Sequence, residues 1–203
     1  MPPKPKFTKE EIVAAALSLV SEKGIEALTA RELGATLGSS TRPIFTVFTS
    51  MEEVQEEVRA AALKRFEAYA QKAVHYTPVF KQVGMQMILF AMEEPKLYQL
   101  VYMSENAGVT DFGGIMERLG DVAQLCVDVI RRDYGLPEQD AKTLFEHVWI
   151  YTFGIGALCA TGMCRFSQEE IIQMLGQDFM AMLFYAKSGR MHMPTPVPKM
   201  EDE

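Results

Sequence analysis

Apolar residues recur along this chain at intervals of three and four, the spacing that gives a helix one buried stripe, and no stretch alternates with the period of two that marks a strand. Capping signatures separate the stripes. Thr8, with Glu11 three residues on, precedes Ile12, Ala16, Leu19 and Val20, a run that stops at Gly24. Thr29 and Glu32 open a second helix near Ala30, with Leu33 and Leu37 on one face and Gly38 suited to close it in the left-handed conformation. Ser39, Ser40 and Thr41 are candidate caps of a third helix, with Arg42 and Pro43 in its first turn. Proline is tolerated there because first-turn amides have no intrahelical partner. In that helix Ile44, Phe45 and Phe48 face inward, and Thr41, Arg42 and Thr46 outward. Ser50 and Glu53 then cap a long helix over about 51–74, ahead of Val54 and Val58.

The rest of the chain also reads as helices. One runs from about 76 to 92, and Pro95 restarts another carrying Leu97, Leu100 and Val101. Gly108, Gly113 and Gly114 mark a loop before a helix over about 114–134, and Gly135-Leu136-Pro137 is a turn before a helix over about 138–161. Ser167 with Glu170 caps the last helix, about 167–187. The tail, 191–203, carries three prolines and mixed charge and is expected to be disordered. The fold class is therefore all-α. A three-helix helix-turn-helix bundle over 1–50 is linked by a long helix to a helical body over 51–190, which holds a ligand site and a dimerisation surface.

Two short helices around a tight turn place the second where it can enter a DNA major groove. The residues that carry this arrangement are Thr29, Arg31, Glu32, Leu33, Gly38, Ser40, Phe45, Phe48, Glu52 and Glu53. Together they resemble the TetR family of one-component bacterial regulators, over roughly residues 8–58. Three positions depart from that pattern: Ser39 stands where a valine packs, Phe45 where a tyrosine commonly reaches a phosphate, and Met51 where a lysine does. Further on, Phe90, Ala91, Pro95, Leu97, Tyr98 and Leu100 are similar to a segment of the TetR regulatory-domain subtype named for a Trp-His-Gly pattern. Trp149 and Gly154 match that pattern, with Phe153 at the histidine position. The resemblance implies a homodimeric DNA-binding transcriptional regulator, a repressor released by a small effector. It implies DNA contacts from Thr29, Arg31, Ser39, Ser40, Thr41, Arg42, Pro43, Phe45 and Thr46. It also implies that the last two long helices pair with those of a second copy. The alternative is a helical ligand-binding or protein-interaction module without sequence-specific DNA binding.

Charge fits a regulator only once it is divided. Of the net −7, residues 1–50 hold six Lys/Arg against five acids (+1), and the remainder holds 14 against 22 (−8). The head is thus neutral to basic and the body acidic, which orients the molecule on a polyanion. Met1 to Lys6 is rich in proline and lysine with no apolar core after it, unlike a signal peptide. The apolar runs near 85–92 and 149–161 are too short or too interrupted to span a bilayer. A cytoplasmic protein with no membrane partner is expected. Cys126, Cys159 and Cys164, an odd and loosely spaced set, read as buried thiols in a reducing compartment rather than as a metal or redox site with His147.

The body's candidate pocket residues are Met85, Leu89, Phe90, Tyr98, Tyr102, Met103, Phe112, Met116, His147, Trp149, Tyr151 and Phe153, because methionine and aromatic side chains line adaptable apolar cavities. Asn106 and Glu105 are further polar candidates. The candidate dimer surface is Gly154 and Ala157, small enough for close helix approach, with Gly156 and Ala160 beside them. On the last helix it is the stripe Ile171, Met174, Leu175, Phe179, Met182 and Leu183. The long helix from 51 to 74 is read as the only rigid link between head and pocket. No nucleophile elbow, phosphate-binding glycine loop or metal-ligand pair is present in the sequence, so no enzyme, cofactor or metal is expected. The expected partners are double-stranded operator DNA, a second copy of the chain, and a small apolar or aromatic effector.

Overall fold

Two of the four capping signatures close fully. The structure is a computed structural model that describes residues 5–73, 79–104, 111–189 and 191, with the backbone alone at 72, 73, 79, 80, 112, 118 and 120. Helix α1, Lys9–Lys23, starts where Thr8 Oγ1 accepts from the Glu11 amide (3.2 Å) and Glu11 accepts in return from the Thr8 amide (2.8 Å). It ends at Gly24, whose φ of +86° no side-chain-bearing residue adopts cheaply. A 3-10 turn, Ile25–Ala27, leads to α2, Ala30–Thr36. There Thr29 caps the Glu32 amide at 3.2 Å, but the Glu32 carboxylate turns to Lys23 instead of closing the box. Helix α3, Met51–Ala73, has its Glu53 amide capped by Ser50 at 3.3 Å, while the Glu53 carboxylate accepts from the amide and hydroxyl of Thr49.

The expected third helix of the head is shorter than its pattern suggests. Residues 41–48 form a turn and a single 3-10 turn, Ile44–Thr46, held by Ile44 N to Thr41 O (3.1 Å) and Val47 N to Ile44 O (3.0 Å). No hydroxyl of Ser39, Ser40 or Thr41 caps it, as Pro43 is the capping residue. Two causes are local. Thr41, Ile44, Thr46 and Val47 are β-branched and lose rotamer freedom in a helix. The Thr46 hydroxyl also bonds Pro43 O (2.6 Å), competing with the backbone ladder. Ile44 and Phe48 are buried as expected; Phe45 is 47% exposed, contrary to its inward assignment, because one turn has room to bury only one side of the segment.

The body consists of α4 (Val79–Glu93), α5 (Pro95–Tyr98) running on into a π turn (Gln99–Met103), α6 (Phe112–Tyr134), α7 (Glu138–Ala160) and α8 (Gln168–Lys187). The Ser167–Glu170 capping box of α8 is complete, and Gly135 closes α6 in the left-handed conformation at φ +67°. Helices α4 and α7 are central: α4 packs on α3, α5, α6, α7 and α8, and α7 on α4, α5, α6 and α8. The expected tail lies outside the described residues except for Met191, as do Glu105 and Asn106.

Residue 50 is not a break in packing. One core runs from Ile12, Val20 and Leu33 in the head through Val54 and Val58 to Phe66, Phe90 and Leu97 in the body. Along α3 every fourth residue, from Val54 through Val58, Ala62 and Phe66 to Ala70, is buried. Helix α3 is also not the only link between the lobes. Helix α1 rests on α5, and Ser21 of α1 donates to the Glu94 carboxylate at 2.8 Å. Arg65 of α3 pairs with that same carboxylate, whose side chain is 11% exposed. Glu94→Ala is expected to cost about 1–3 kcal/mol, the usual range for a hydrogen bond to a charged group. In a domain of this size, thermal denaturation then reads a fall in Tm of several degrees.

Candidate functional site

The exposed surface of the head is built on Gly34. A Cβ there would lie 3.2 Å from Ser39 O and 3.3 Å from Ser40 C, both backbone atoms, so any side chain would press the turn away from α2. Gly34 O accepts from the Ser39 amide (2.9 Å), and Gly38 takes φ +61° as its position suggested. This fixed turn presents Thr29, Arg31, Ser40, Arg42, Phe45 and Thr46 on the surface, with Ser39, Thr41 and Pro43 half-buried beneath. Among the described residues neither guanidinium, Arg31 or Arg42, has an ion-pair partner. Lys6 donates to Ser39 Oγ at 3.0 Å and adds a third cation beside the turn. The sequence offered little sign of Lys6 or Gly34: one is a basic residue ahead of the first helix, the other a glycine within a helical pattern.

A second feature is a cavity of about 240 Å³ in the body. Val83, Gly84 and Met87 of α4, Cys126 of α6, and Phe145, Val148, Trp149 and Thr152 of α7 wall it. Leu175, Gly176, Phe179 and Met180 of α8 complete that wall, and Phe66 of α3 and Tyr102 of the π turn reach it from the head side. The lining is almost wholly apolar. The Thr152 hydroxyl is engaged by Val148 O (2.7 Å), and the Cys126 thiol is pushed up to about 12 by burial, which keeps it protonated and unreactive. The Tyr102 phenol is pushed well up, first by burial and then by the neighbouring Tyr98, and its hydroxyl has no hydrogen-bond partner among the described residues.

Of the candidate pocket residues, Tyr102 and Trp149 line this cavity. Phe90 and Tyr98 sit in the closed core, where the Tyr98 hydroxyl donates to Phe153 O at 3.1 Å. Phe153 stacks on Trp149 at 5.6 Å. Met85 and Leu89 pack with Ile88, Ile155 and Ile171 in a separate cluster, and Met116 of α6 packs against the core between α6, α7 and α8. Met103, Tyr151 and His147 are exposed, and the side chain of Phe112 lies outside the described residues. The misplacements share one cause: period alone does not say which buried face of α4 or α7 meets the gap and which meets another helix.

The candidate dimer stripe divides likewise. Ile171 (0% exposed), Leu175 (5%) and Leu183 (7%) are buried within the single chain, so they are not a surface for a second copy. Leu175 and Phe179 line the cavity, and Met174 and Met182 are half-buried on the inner side. The outward face instead carries Ile150 (52%), Met180 (60%) and Phe184 (79%), with Ala157 and Gly154, where an added Cβ meets nothing within 4 Å. Gly156 and Ala160 face inward; a Cβ on Gly156 would collide with the ring and hydroxyl of Tyr98.

Among the described residues no helix is long and apolar enough to cross a membrane, and no group of His, Cys, Asp or Glu is placed to hold a metal ion. Residues 12–58 match the profile of bacterial regulatory proteins of the tetR family. A solved structure from Mesorhizobium loti, described as a candidate TetR-family transcriptional regulator, shares the fold at TM-score 0.52 and 19% identity, over 86% of this chain and 94% of that one. No curated protein sequence matches the chain. The two α7 glycines separate the inner and outer faces experimentally. Gly156→Ala is expected to cost about 1–3 kcal/mol by overpacking against a wholly buried ring. Gly154→Ala gains up to about 1 kcal/mol of helix propensity. Urea unfolding should therefore move the two midpoints in opposite directions.

Proposed function

We propose that this chain, whose residues 12–58 match the profile of bacterial regulatory proteins of the tetR family, is a DNA-binding transcriptional regulator and acts as a homodimeric repressor that a small apolar effector releases from its operator. The observation that carries this reading is the double duty of α3. Its first turns supply Val54 and Val58 to the head core, and three turns later it supplies Phe66 to the cavity wall. A molecule filling the cavity bears on Phe66 and Tyr102 and thereby on the seating of the head against α5. It shifts the equilibrium only as far as it binds the released arrangement more tightly.

On the DNA side, Arg42 is the base-reading side chain in this proposal, with Thr46 and the turn backbone beside it and Arg31, Lys6 and Thr29 toward phosphates. A base-edge arginine is worth about 1–3 kcal/mol. Arg42→Ala is expected to weaken operator binding roughly ten- to a hundredfold in a gel-shift titration, with the circular dichroism spectrum unchanged. Unaltered affinity would remove Arg42 from the interface. A head of charge +1 draws little on counterion release, so two heads must act together, spaced by about one DNA turn of roughly 34–36 Å.

The dimer in this proposal is built from the outward face of α7 and α8, with Phe184 and Ile150 closing over Gly154 and Ala157 of the partner. Phe184→Glu is expected to halve the mass seen by light scattering while the thermal transition stays cooperative. A charge at Leu183 should instead unfold the chain, because that side chain is already buried in the monomer. If Phe184→Glu retained the wild-type mass, the interface would lie elsewhere.

A further inference from the structure

Resting on the reading of the cavity as an effector site, we propose that its ligand is an elongated apolar molecule bearing one carboxylate, with Lys81 as the counter-ion. Lys81 is half-buried, lines the cavity, and has no ion-pair partner among the described residues. Its Nζ lies 3.9 Å from where a Cβ on Gly176 would stand, so the glycine leaves the ammonium room beside the cavity. Among the described residues no Asp or Glu lines the space. Asp178, two residues beyond Gly176, is not part of the lining, and burial holds its carboxyl above the ordinary carboxylate value. A lone cation against an apolar wall is unfavourable until a counter-charge arrives, and an anion entering here meets attraction with no opposing carboxylate. A cationic ligand would meet Lys81 with nothing to offset the repulsion.

The shape of the ligand follows from the placement of its two ends. Met180, one turn beyond Gly176 on α8 and in the lining with Lys81, is 60% exposed and marks the open end. Lys81 and Met87 are six residues apart on α4, about 9 Å along the axis at roughly 1.5 Å per residue. The inner end is formed by Phe66 and Tyr102, whose rings are 5.6 Å apart. The carboxylate therefore sits at Lys81, and the apolar tail runs inward past Gly84, Thr152 and Trp149 toward the aromatic end. The cavity of about 240 Å³ equals the liquid volume of roughly eight waters at about 30 Å³ each. That suits a straight-chain or aryl-alkyl acid of about eight carbons. A ligand oxygen at the inner end would also give the Tyr102 hydroxyl the partner it lacks.

Trp149 is the one tryptophan of the chain and lines the cavity, so its fluorescence reports occupancy directly, with no DNA present. The test titrates the full-length protein with octanoate and, separately, with octan-1-ol, in the wild type and in Lys81→Met. The expected result is that octanoate binds the wild type at least tenfold more tightly than octan-1-ol. Lys81→Met should erase that advantage while octan-1-ol binding stays within twofold, which also shows that the variant is folded. If Lys81→Met lost both ligands, Lys81→Gln would be titrated in its place, with the same loss of octanoate alone expected. Equal affinity for the two probes in the wild type, or octanoate binding untouched by both variants, overturns the carboxylate while leaving the effector site standing. A Trp149 signal that answers to neither probe, nor to decanoate or decan-1-ol, overturns the effector-site reading itself.

Discussion

The seating of Phe66 is the constraint on which the arrangement of this molecule depends. Its ring lies 5.5 Å from Phe90 and 5.6 Å edge-on from Tyr102, and Tyr102 in turn lies 5.0 Å from Tyr98. Tyr98 passes the packing on to Phe153, and Phe153 to Trp149 at a nearly parallel 11°. These six rings belong to α3, α4, α5 with its π turn, and α7, so one aromatic cluster sets the mutual positions of four segments. Ring pairs at such separations are worth about 0.5–1.5 kcal/mol each beyond the area they bury. Among the described residues the head has no comparable cluster, and α3, whose first turns it packs against, is one of its two supports.

A second tether makes that posture two-sided. The Glu94 carboxylate, at the junction of α4 and α5, is joined by Ser21 from α1 and Arg65 from α3, and Tyr69 of α3 donates to the adjacent Glu93 at 2.6 Å. The head is thus held by its own first helix as well as by α3. In the proposed regulator, a displacement at Phe66 is taken up as a change between these two supports rather than as a free swing about one rod. The cavity borders the aromatic cluster on the side of Phe66 and Tyr102, which places the effector site next to the packing that positions the head.

The outer surface of the last two helices shows how one amphipathic pattern serves two purposes. Helix α8 buries Ile171, Leu175 and Leu183 in its own chain and still presents Met180 and Phe184 outward. An apolar set wide enough to cover more than one face leaves a remainder after the monomer core is complete: Phe184 is what the proposed dimer covers, and Met180 borders the cavity.

The sequence by itself determined where helices begin and end. Thr8, Thr29, Ser50 and Ser167 cap their helices, and Gly24, Gly38 and Gly135 take positive φ, because capping and left-handed closure are local and need no tertiary partner. It also contained the head, since the family pattern lies within one continuous segment of the chain. Tertiary structure decided everything that turns on which neighbour a buried face meets. Sequence marks Phe90 and Met85 as pocket candidates and Leu175 and Gly156 as candidates for the helix-pairing surface, yet the first is closed core, the second faces α7 and α8, the third lines the cavity and the fourth makes way for Tyr98. The expected recognition helix shortened to a single 3-10 turn for local reasons instead, its β-branched residues and the Thr46 hydroxyl on Pro43 O. Lys81 belongs with Phe90, Met85, Leu175 and Gly156: a lysine near a helix start is ordinary in sequence, and only the packing of α4 against α8 sets it beside an apolar cavity.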